Sequence, residues 1–371
     1  MEPCSIPYLI WLVKLMNPAN RNILPLVEYF GSPENVFMAS EAQWRQCGLL
    51  SPDMIRKFMA NSTLSIVHSS LDFCENNDVR MITYWDNDYP QTCRTMHDPP
   101  VLLFCKGNPV WRDSLLQIAV AGTRRTTGYG LHTTEHIVSD LAEIGCNILG
   151  GMSDGIDACA HKAALNSGGK TVAILPCGID VIYPNSQYDL YWRIVENGCV
   201  LSEFLPGTRP IGSNFQARNR LIAGMANGVL HVQSPAKSGS LITVKWAVQY
   251  NRDVFAIPGD VDVCQSQGPN GLIRSGAKLV ESAMDVLEEY GYLFANHSAQ
   301  NPEMPSPVLQ NEDEKTIIQV LISGDADTTE LSIKTGIDLT NIILLLTDLQ
   351  FRGIITEKPG GIYALSKTFT I

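Results

Sequence analysis

The feature that most constrains the fold is the alternation, between residues 115 and 290, of short apolar runs with longer helical segments. Short runs rich in Val, Ile and Leu are typical of buried strands, and the segments between them have the residue spacing of helices. Repeated alternation of strand and helix predicts an α/β fold with a doubly wound, mostly parallel sheet. The predicted strands lie in LLQIAVAG, CNILGG, TVAILP, CVLSEF, GVLHVQS and DVFAIP.

The rest of the chain divides into segments before and after this sheet. Residues 1–75 show helical periodicity interrupted by turn-forming segments and predict a small helical domain. Residues 76–114 contain a strand, a proline-rich turn and another strand, and are predicted to connect it to the sheet domain, residues 115–292. Residues 293–310 are polar and proline-rich, as in a linker. In residues 311–371, three helical segments and a hairpin with a PGG turn predict a winged helix.

The charge balance argues at first against a nucleic-acid partner, because the net charge is -11 and phosphate binding needs cations. The charge is unevenly distributed, however. Residues 106–295 carry 15 Lys and Arg against 17 Asp and Glu, whereas residues 296–371 carry 5 against 10. The predicted sheet domain is therefore nearly neutral, and the arginine clusters lie within it.

Several classes of protein are disfavoured by composition. The ten cysteines contain no CxxC pair, so neither a zinc ribbon nor a thioredoxin-like site is indicated. No apolar run reaches 18 residues, and the first twenty residues lack the pattern of a signal peptide. We expect a cytoplasmic protein that has no membrane contact, no metal and no cofactor.

Polar and basic residues follow the predicted strands, at the sheet edge where ligands of such folds bind. The first strand leads into Thr123 and Arg124, and a later one leads to Phe215 at the start of a helix. A helix N-terminus, an aromatic ring and guanidinium groups together suit phosphates and a stacked base. The candidate ligand-binding residues are Thr123, Arg124, Phe215, Arg218, Asn219, Arg220, Ser238 and Gly239.

These residues also have structural interpretations. Phe215 could be a core residue, and one of the arginines near it could pair with Glu203 or an aspartate instead of binding a ligand. Asp157 and His161 lie four residues apart and suit either an acid/base pair or a structural hydrogen bond that holds the turn. The HTTEH segment at His132 matches a zinc-protease pattern, but no third ligand is indicated. The pairs Asp260/Asp262 and Asp325/Asp327 are more typical of solvated loops than of metal sites.

Seven separated blocks of the sheet domain, in order and spacing, resemble the DprA/Smf family of DNA-processing proteins. The flanking segments resemble that family's SAM-like or helix-hairpin-helix domain and its winged helix, and the resemblance implies a Rossmann-like central domain. The blocks are AVAGTRRTTGYG, GGMSDGIDACAHKAAL, CGIDVIYP, LSEFLPG, NFQARNRLIAGMA, SGSLITVKWAVQYNRDVFAIPGDV and GPNGLIRSGAKLV.

The resemblance implies a non-enzymatic protein that binds and protects single-stranded DNA without sequence preference and helps load the RecA recombinase during natural transformation. It places the phosphate contacts in two loops, which here contain Thr123, Arg124, Phe215, Arg218, Asn219 and Arg220. It also implies a homodimer formed around Asn270, Ile273 and Leu279.

The sequence departs from the family pattern at Asp154, where an arginine is usual, and at Gln233, where an acid is usual. Because Asp154 adds a negative charge, we expect weaker phosphate binding or a pocket rearranged around this residue. The acidic winged helix is expected to contact protein rather than duplex DNA.

Two other functions remain open. A nucleotide phosphoribohydrolase with a related sheet would need a PGGxGTxxE motif with a catalytic glutamate, but SPAKSGSLIT stands in its place. An adaptor with residual DNA affinity is the third possibility, and the net charge and Asp154 motivate it.

Overall fold

The computed structural model describes residues 6–112, 114, 116–291, 312–351, 354–358 and 361–365. They belong to two compact units, divided between Gly291 and Tyr292. The predicted linker, residues 293–310, lies outside the described residues.

The first unit is built on one large mixed sheet. Its strands within the described residues are β1 (Arg80–Thr83), β2 (Leu102–Gly107), β3 (Gln117–Ala121), β4 (Asn147–Gly150), β5 (Thr171–Leu175), β6 (Cys199–Ser202), β7 (Gly228–His231), β8 (Asp253–Ala256) and β9 (Lys278–Leu279). They lie in the order β1-β2-β6-β5-β4-β3-β7-β8-β9. Strands β3 to β9 pair in parallel, and β1 and β2 are antiparallel to their neighbours. The mostly parallel sheet is confirmed.

Helices cover the faces of this sheet. In the described part of the first unit they are α1 (Ile6–Met16), α2 (Ile23–Phe30), α3 (Pro33–Met38), α4 (Glu41–Gln46), α5 (Pro52–Ala60), α6 (His68–Asn76), α7 (Gly128–Glu143), α8 (Ile156–Asn166), α9 (Tyr188–Asn197), α10 (Gly212–Met225), α11 (Leu241–Gln249), α12 (Gln267–Arg274) and α13 (Ala283–Glu288). Every residue of β3 and β5 is buried, which explains why these strands are continuous apolar runs without alternation.

The direction of chain winding reverses at the centre of the sheet. The chain adds β4, β5 and β6 on one side of β3 and then returns to place β7 on the other side. The loops that follow β3 and β7 therefore diverge and leave a crevice at the carboxyl edge of the strands.

The predicted connector is part of the sheet. Its strands β1 and β2 extend the sheet beyond β6, with Phe104 of β2 opposite Ser202 of β6. Helices α1 to α6 share a hydrophobic core with this side of the sheet, and this core contains Trp11 and Phe58 as well as Phe104 and Val200. Residues 76–114 thus join the helical segment to the sheet as one compact unit, because their strands hydrogen-bond to it.

The second unit contains helices α14 (Glu312–Ser323), α15 (Thr328–Thr335) and α16 (Leu339–Phe351) and strands β10 (Ala326–Asp327), β11 (Ile355–Lys358) and β12 (Ile362–Leu365). The strands pair in the order β10-β12-β11. Ile317, Leu331 and Leu346 lie in its core. The elements follow one another as predicted for a winged helix, but Pro359 and Gly360 of the expected turn lie outside the described residues, and the winged-helix assignment stays a prediction. None of the described helices is long and apolar enough to span a membrane.

Candidate functional site

A cavity of about 710 Å³ lies at the crevice where the winding reverses. Loops after several neighbouring strands contribute its walls, together with the first three turns of α10 and the first turn of α11. Its polar lining residues include Thr123, Arg124, Arg125, Ser153, Asp157, Tyr183, Arg218, Asn219, Lys237, Ser238, Ser240 and Thr243. Asp157 supplies the one carboxylate among the described lining residues.

The loop that carries Arg124 is held on both sides. The backbone N–H of Thr123 donates to the carbonyl of Gln233 at 2.7 Å, and the N–H of Ile156 donates to the carbonyl of Thr123 at 3.3 Å. Gly155, with φ of 83°, lies so close that a Cβ there would stand 2.4 Å from that carbonyl oxygen. The loop position is therefore fixed by its neighbours, while the Arg124 side chain remains exposed at the cavity.

Arg218 is the buried cation of the cavity, with a relative exposure of 5%. Its guanidinium donates to the Ile174 carbonyl at 3.3 Å and to Ser153 Oγ at 3.5 Å, while its Nε has no partner. No ion pair with a carboxylate is found for it within the described residues. Burial lowers its pKa, and the charge of Asp157 acts in the opposite direction. A guanidinium desolvated in this way, and facing a cavity, favours an anion.

The room for Arg218 comes from Gly151 on the neighbouring loop. A Cβ at Gly151 would stand 1.1 Å from Arg218 Nη1, so the guanidinium occupies the space of a side chain. Glycine at this position is a steric requirement of the buried arginine.

Phe215 stands between the two arginines. Its ring centroid lies 5.9 Å from the guanidinium carbon of Arg124 and 5.7 Å from that of Arg218. The ring of Tyr183 meets it edge to face at 5.7 Å. Cations near an aromatic ring are attracted to it, and the ring in turn fixes their positions. The two arginines beside the ring are thus Arg124 and Arg218, and not Arg218 and Arg220 as their closeness to Phe215 in the sequence suggested.

The remaining predicted residues fall into two groups. Thr123, Asn219, Ser238 and Gly239 line the cavity. The N-terminus of α11 has no side-chain cap, and Ser238 Oγ accepts from the Ser240 N–H at 3.3 Å. This end of α11 therefore presents backbone donors next to Lys237, as an anion site requires.

Arg220 does not line the cavity. It is buried, and its Nη2 donates to Glu203 Oε1 at 2.5 Å while its Nε lies 3.6 Å from Asp98 Oδ2. The Tyr250 hydroxyl donates to the other oxygen of Asp98 at 2.5 Å. The expectation that Arg220 binds phosphate is corrected, because α10 turns this residue toward Glu203, the pairing that the sequence left open.

The carboxylate of Asp157 has a structural role. Its two oxygens accept from the backbone N–H groups of Gly151 and Ser153 at 3.0 and 3.1 Å. His161 is buried and bonds through Nδ1 to Thr171 Oγ1 at 2.6 Å, and burial lowers its pKa to about 4. Asp157 therefore holds the loop after β4, whereas His161 bonds to β5. Among the described residues, no cluster of three potential metal ligands occurs, in the HTTEH segment or elsewhere.

Comparison with known proteins identifies the relatives of this chain. The family model for DNA recombination-mediator protein A matches residues 80–291. The chain belongs to this family. The DNA processing protein DprA of Streptococcus pneumoniae is 37% identical over 288 residues, which are 77% of this chain and 98% of that protein. Protein Smf of Synechocystis is 32% identical over 337 residues, covering 90% of this chain and 79% of its own.

Two solved structures of the family are similar to this one. The X-ray structure of the Streptococcus pneumoniae DprA covers 77% of this chain and 99% of its own, with a TM-score of 0.66 and 35% identity. A structure of the Helicobacter pylori DprA, described for its single-stranded DNA binding mode, covers 58% of this chain and 96% of its own, with a TM-score of 0.53 and 30% identity. The resemblance to the DprA/Smf family is thus confirmed.

The two departures from the family pattern have structural explanations. Asp154 lies outside the set of residues that line the cavity, and its Oδ1 accepts from Gln187 Nε2 at 2.7 Å and Ser186 Oγ at 2.8 Å. These bonds lower its pKa. The cavity is therefore not rearranged around Asp154. Gln233 Oε1 accepts from the Thr127 N–H at 3.2 Å, so this side chain anchors the start of α7.

The predicted dimer residues lie around the outer edge of the sheet. Asn270 forms two hydrogen bonds with Gly259, at 3.1 and 2.8 Å, and Ile273 is half-buried on α12. Leu279 is 43% exposed on the edge strand β9. Their part in a family dimer stays a prediction.

The candidate ligand-binding residues did not include Ser153, Tyr183 and Lys237, which line the cavity, or Gly151, which makes room for Arg218. Tyr183 belongs to the CGIDVIYP block that follows β5, so the rule of searching strand ends could have found it. The role of Gly151 has no signal in the sequence, because it depends on where the end of the Arg218 side chain lies.

Proposed function

We propose that this chain binds single-stranded DNA without sequence preference, with phosphates held by Arg124 and Arg218 and a base packed at the Phe215 ring. The observation that carries the proposal is Arg218, a buried guanidinium that faces the cavity without an ion-pair partner among the described residues. The Helicobacter pylori relative, whose structure concerns single-stranded DNA binding, supports the ligand class.

The chemistry of the cavity explains why binding would not depend on sequence. Guanidinium groups, hydroxyls and backbone N–H groups contact phosphate oxygens, which are the same in every nucleotide. An aromatic ring stacks on any base, and only an unpaired base exposes its face for stacking. Single strands are therefore preferred over duplex.

The lining of the cavity favours binding of a ligand over its hydrolysis. A phosphoribohydrolase needs a carboxylate free to act on its substrate, but both oxygens of Asp157 accept backbone N–H groups. The proposed role is therefore that of a non-enzymatic binder that shields the strand and delivers it to RecA, in the cytoplasm and as a homodimer.

Titration of labelled single strands and duplex at two salt concentrations tests the site. The variant Arg124→Ala/Arg218→Met should bind single strands about 100-fold more weakly or worse, because it removes two cations and charge-assisted hydrogen bonds contribute about 1.5–3 kcal/mol each. The slope of log K against log salt should fall by about 0.7 for each phosphate charge that is no longer neutralised. The control Arg45→Ala/Arg56→Ala removes the same charge from helices α4 and α5. Equal affinities of the two variants would refute the site.

The RecA step needs its own measurement. RecA filament formation on a strand mixed with this protein should start sooner than on a strand mixed with the Arg124→Ala/Arg218→Met variant. If the lag before RecA filament formation is the same for both proteins, the loading role is refuted and the proposal of strand binding is unaffected. A variant that binds no strand yet still captures RecA would favour the adaptor interpretation.

A further inference from the structure

The start of α9 exposes two large aromatic side chains next to each other. Tyr188 is 55% exposed and Trp192 is 37% exposed, and their ring centroids lie 6.4 Å apart. Side chains of this size usually find a place in a core or an interface. Their pairing, one helical turn apart on the same face, indicates a surface that meets another molecule.

This aromatic pair is connected to the cavity. Tyr183, which lines the cavity and contacts Phe215, precedes Tyr188 by five residues. Ser186 and Gln187 lie between these two tyrosines in the sequence, and their side chains donate hydrogen bonds to Asp154. Because Asp154 follows Ser153 of the cavity wall, these bonds hold the start of α9 beside the cavity.

The ring of Trp192 is held in place by a neighbouring side chain and has a cation beside it. Trp192 packs edge to face against Tyr191 at 5.3 Å, and Tyr191 is buried with its hydroxyl donating to the Ile179 carbonyl at 3.0 Å. Lys106 Nζ of β2 lies 5.0 Å from the Trp192 ring centroid. A fixed ring binds a base at low entropic cost, and a flexible lysine can reach a phosphate beside it.

We propose that a single strand leaving the cavity continues over Tyr188 and Trp192, with its bases stacked on these rings and a phosphate beside Lys106. The proposal rests on the proposed function, since it extends the same strand. Continuity with the cavity and the combination of rings with a cation favour a nucleic-acid strand as the occupant. The paired bases of a duplex offer no free face to these rings.

The test compares two lengths of oligothymidylate, of about 6 nucleotides to fill the cavity and about 20 to reach α9. The variant Tyr188→Ala should bind the long strand about 10-fold more weakly and keep its affinity for the short one. Trp192→Ala should do the same, and Lys106→Gln should lower the salt slope for the long strand by about 0.7. The matched control is Tyr29→Ala, since Tyr29 is also 55% exposed and lies on α2.

The outcomes separate this proposal from the one on which it rests. If Tyr188→Ala binds the long strand normally while Arg124→Ala/Arg218→Met does not, the path over α9 is refuted and the cavity remains. If Tyr188→Ala weakens both lengths equally, the rings are not a separate subsite and the proposal also fails. If Arg124→Ala/Arg218→Met binds both lengths normally, both the cavity site and the path over α9 are refuted.

Discussion

Arg218 and Arg220 are both buried on α10, yet their replacement by methionine should change stability in different directions. Arg220 pairs with Glu203 at 2.5 Å, and the other oxygen of Glu203 has no partner. Arg220→Met leaves a buried carboxylate without its cation. Breaking a buried pair in this way costs about 3–5 kcal/mol of unfolding free energy.

Arg218 has no such pair among the described residues. Arg218→Met removes two long hydrogen bonds, at 3.3 and 3.5 Å, and the interaction with the Phe215 ring. Their removal costs about 1–3 kcal/mol. This cost is offset by removal of a desolvated cation, whose burial costs several kcal/mol. The variant should therefore be as stable as the parent or up to about 2 kcal/mol more stable.

Urea denaturation of both variants, at constant pH and salt, measures the two free energies of unfolding. Arg218→Met should have a midpoint at or above that of the parent while single-strand affinity falls about 10-fold or more, and Arg220→Met should have a clearly lower midpoint. The double variant Glu203→Leu/Arg220→Met removes both charges and should recover most of the stability. If Arg218→Met is destabilised as strongly as Arg220→Met, Arg218 is a structural residue and the reasoning is wrong.

Three further predictions concern residues around the cavity. Gly151→Ala should displace the Arg218 guanidinium, because a Cβ would overlap Nη1, and should lower single-strand affinity about 10-fold. In a double-mutant cycle, adding Arg218→Met to Gly151→Ala should weaken binding little further. Burial lowers the pKa of His161 and of His231 to about 4, so the unfolded state binds more protons between pH 6.5 and 4. Stability should fall by about 2 kcal/mol for each histidine between pH 7 and 5, and denaturation of His161→Gln should show a smaller fall. Asp154→Asn should raise affinity by no more than about 3-fold, and only at low salt, because the carboxylate lies outside the cavity; a larger gain, persisting at high salt, would place Asp154 in the site.

Much of the site could be predicted because strand ends are visible in the sequence. Thr123, Phe215 and Ser238 each follow a buried apolar run, and the carboxyl ends of parallel strands meet at one edge of a sheet. The rule also explains why Tyr183 could have been included. The sheet itself followed from the same pattern, since continuous apolar strands separated by helices fit few other folds.

The prediction failed where it depended on the direction of a side chain. Arg218 and Arg220 lie two residues apart on the same helix, α10, and nothing in the sequence favours either one as a ligand contact. Two positions along a helix correspond to a rotation of about 200°, so the two guanidinium groups face opposite sides of α10. Which side meets the cavity depends on how the helix packs.

The sequence by itself determined the alternation that makes the sheet, the family, and the strand-end loops that carry the cavity. These features are local, because the residue spacing that specifies each element lies within that element. The tertiary structure alone decided that β1 and β2 belong to the sheet, that Arg220 pairs with Glu203 instead of lining the cavity, and that Gly151 leaves room for Arg218. Each of these depends on interactions between residues far apart in the chain, and such interactions are set only when the helices pack on the sheet.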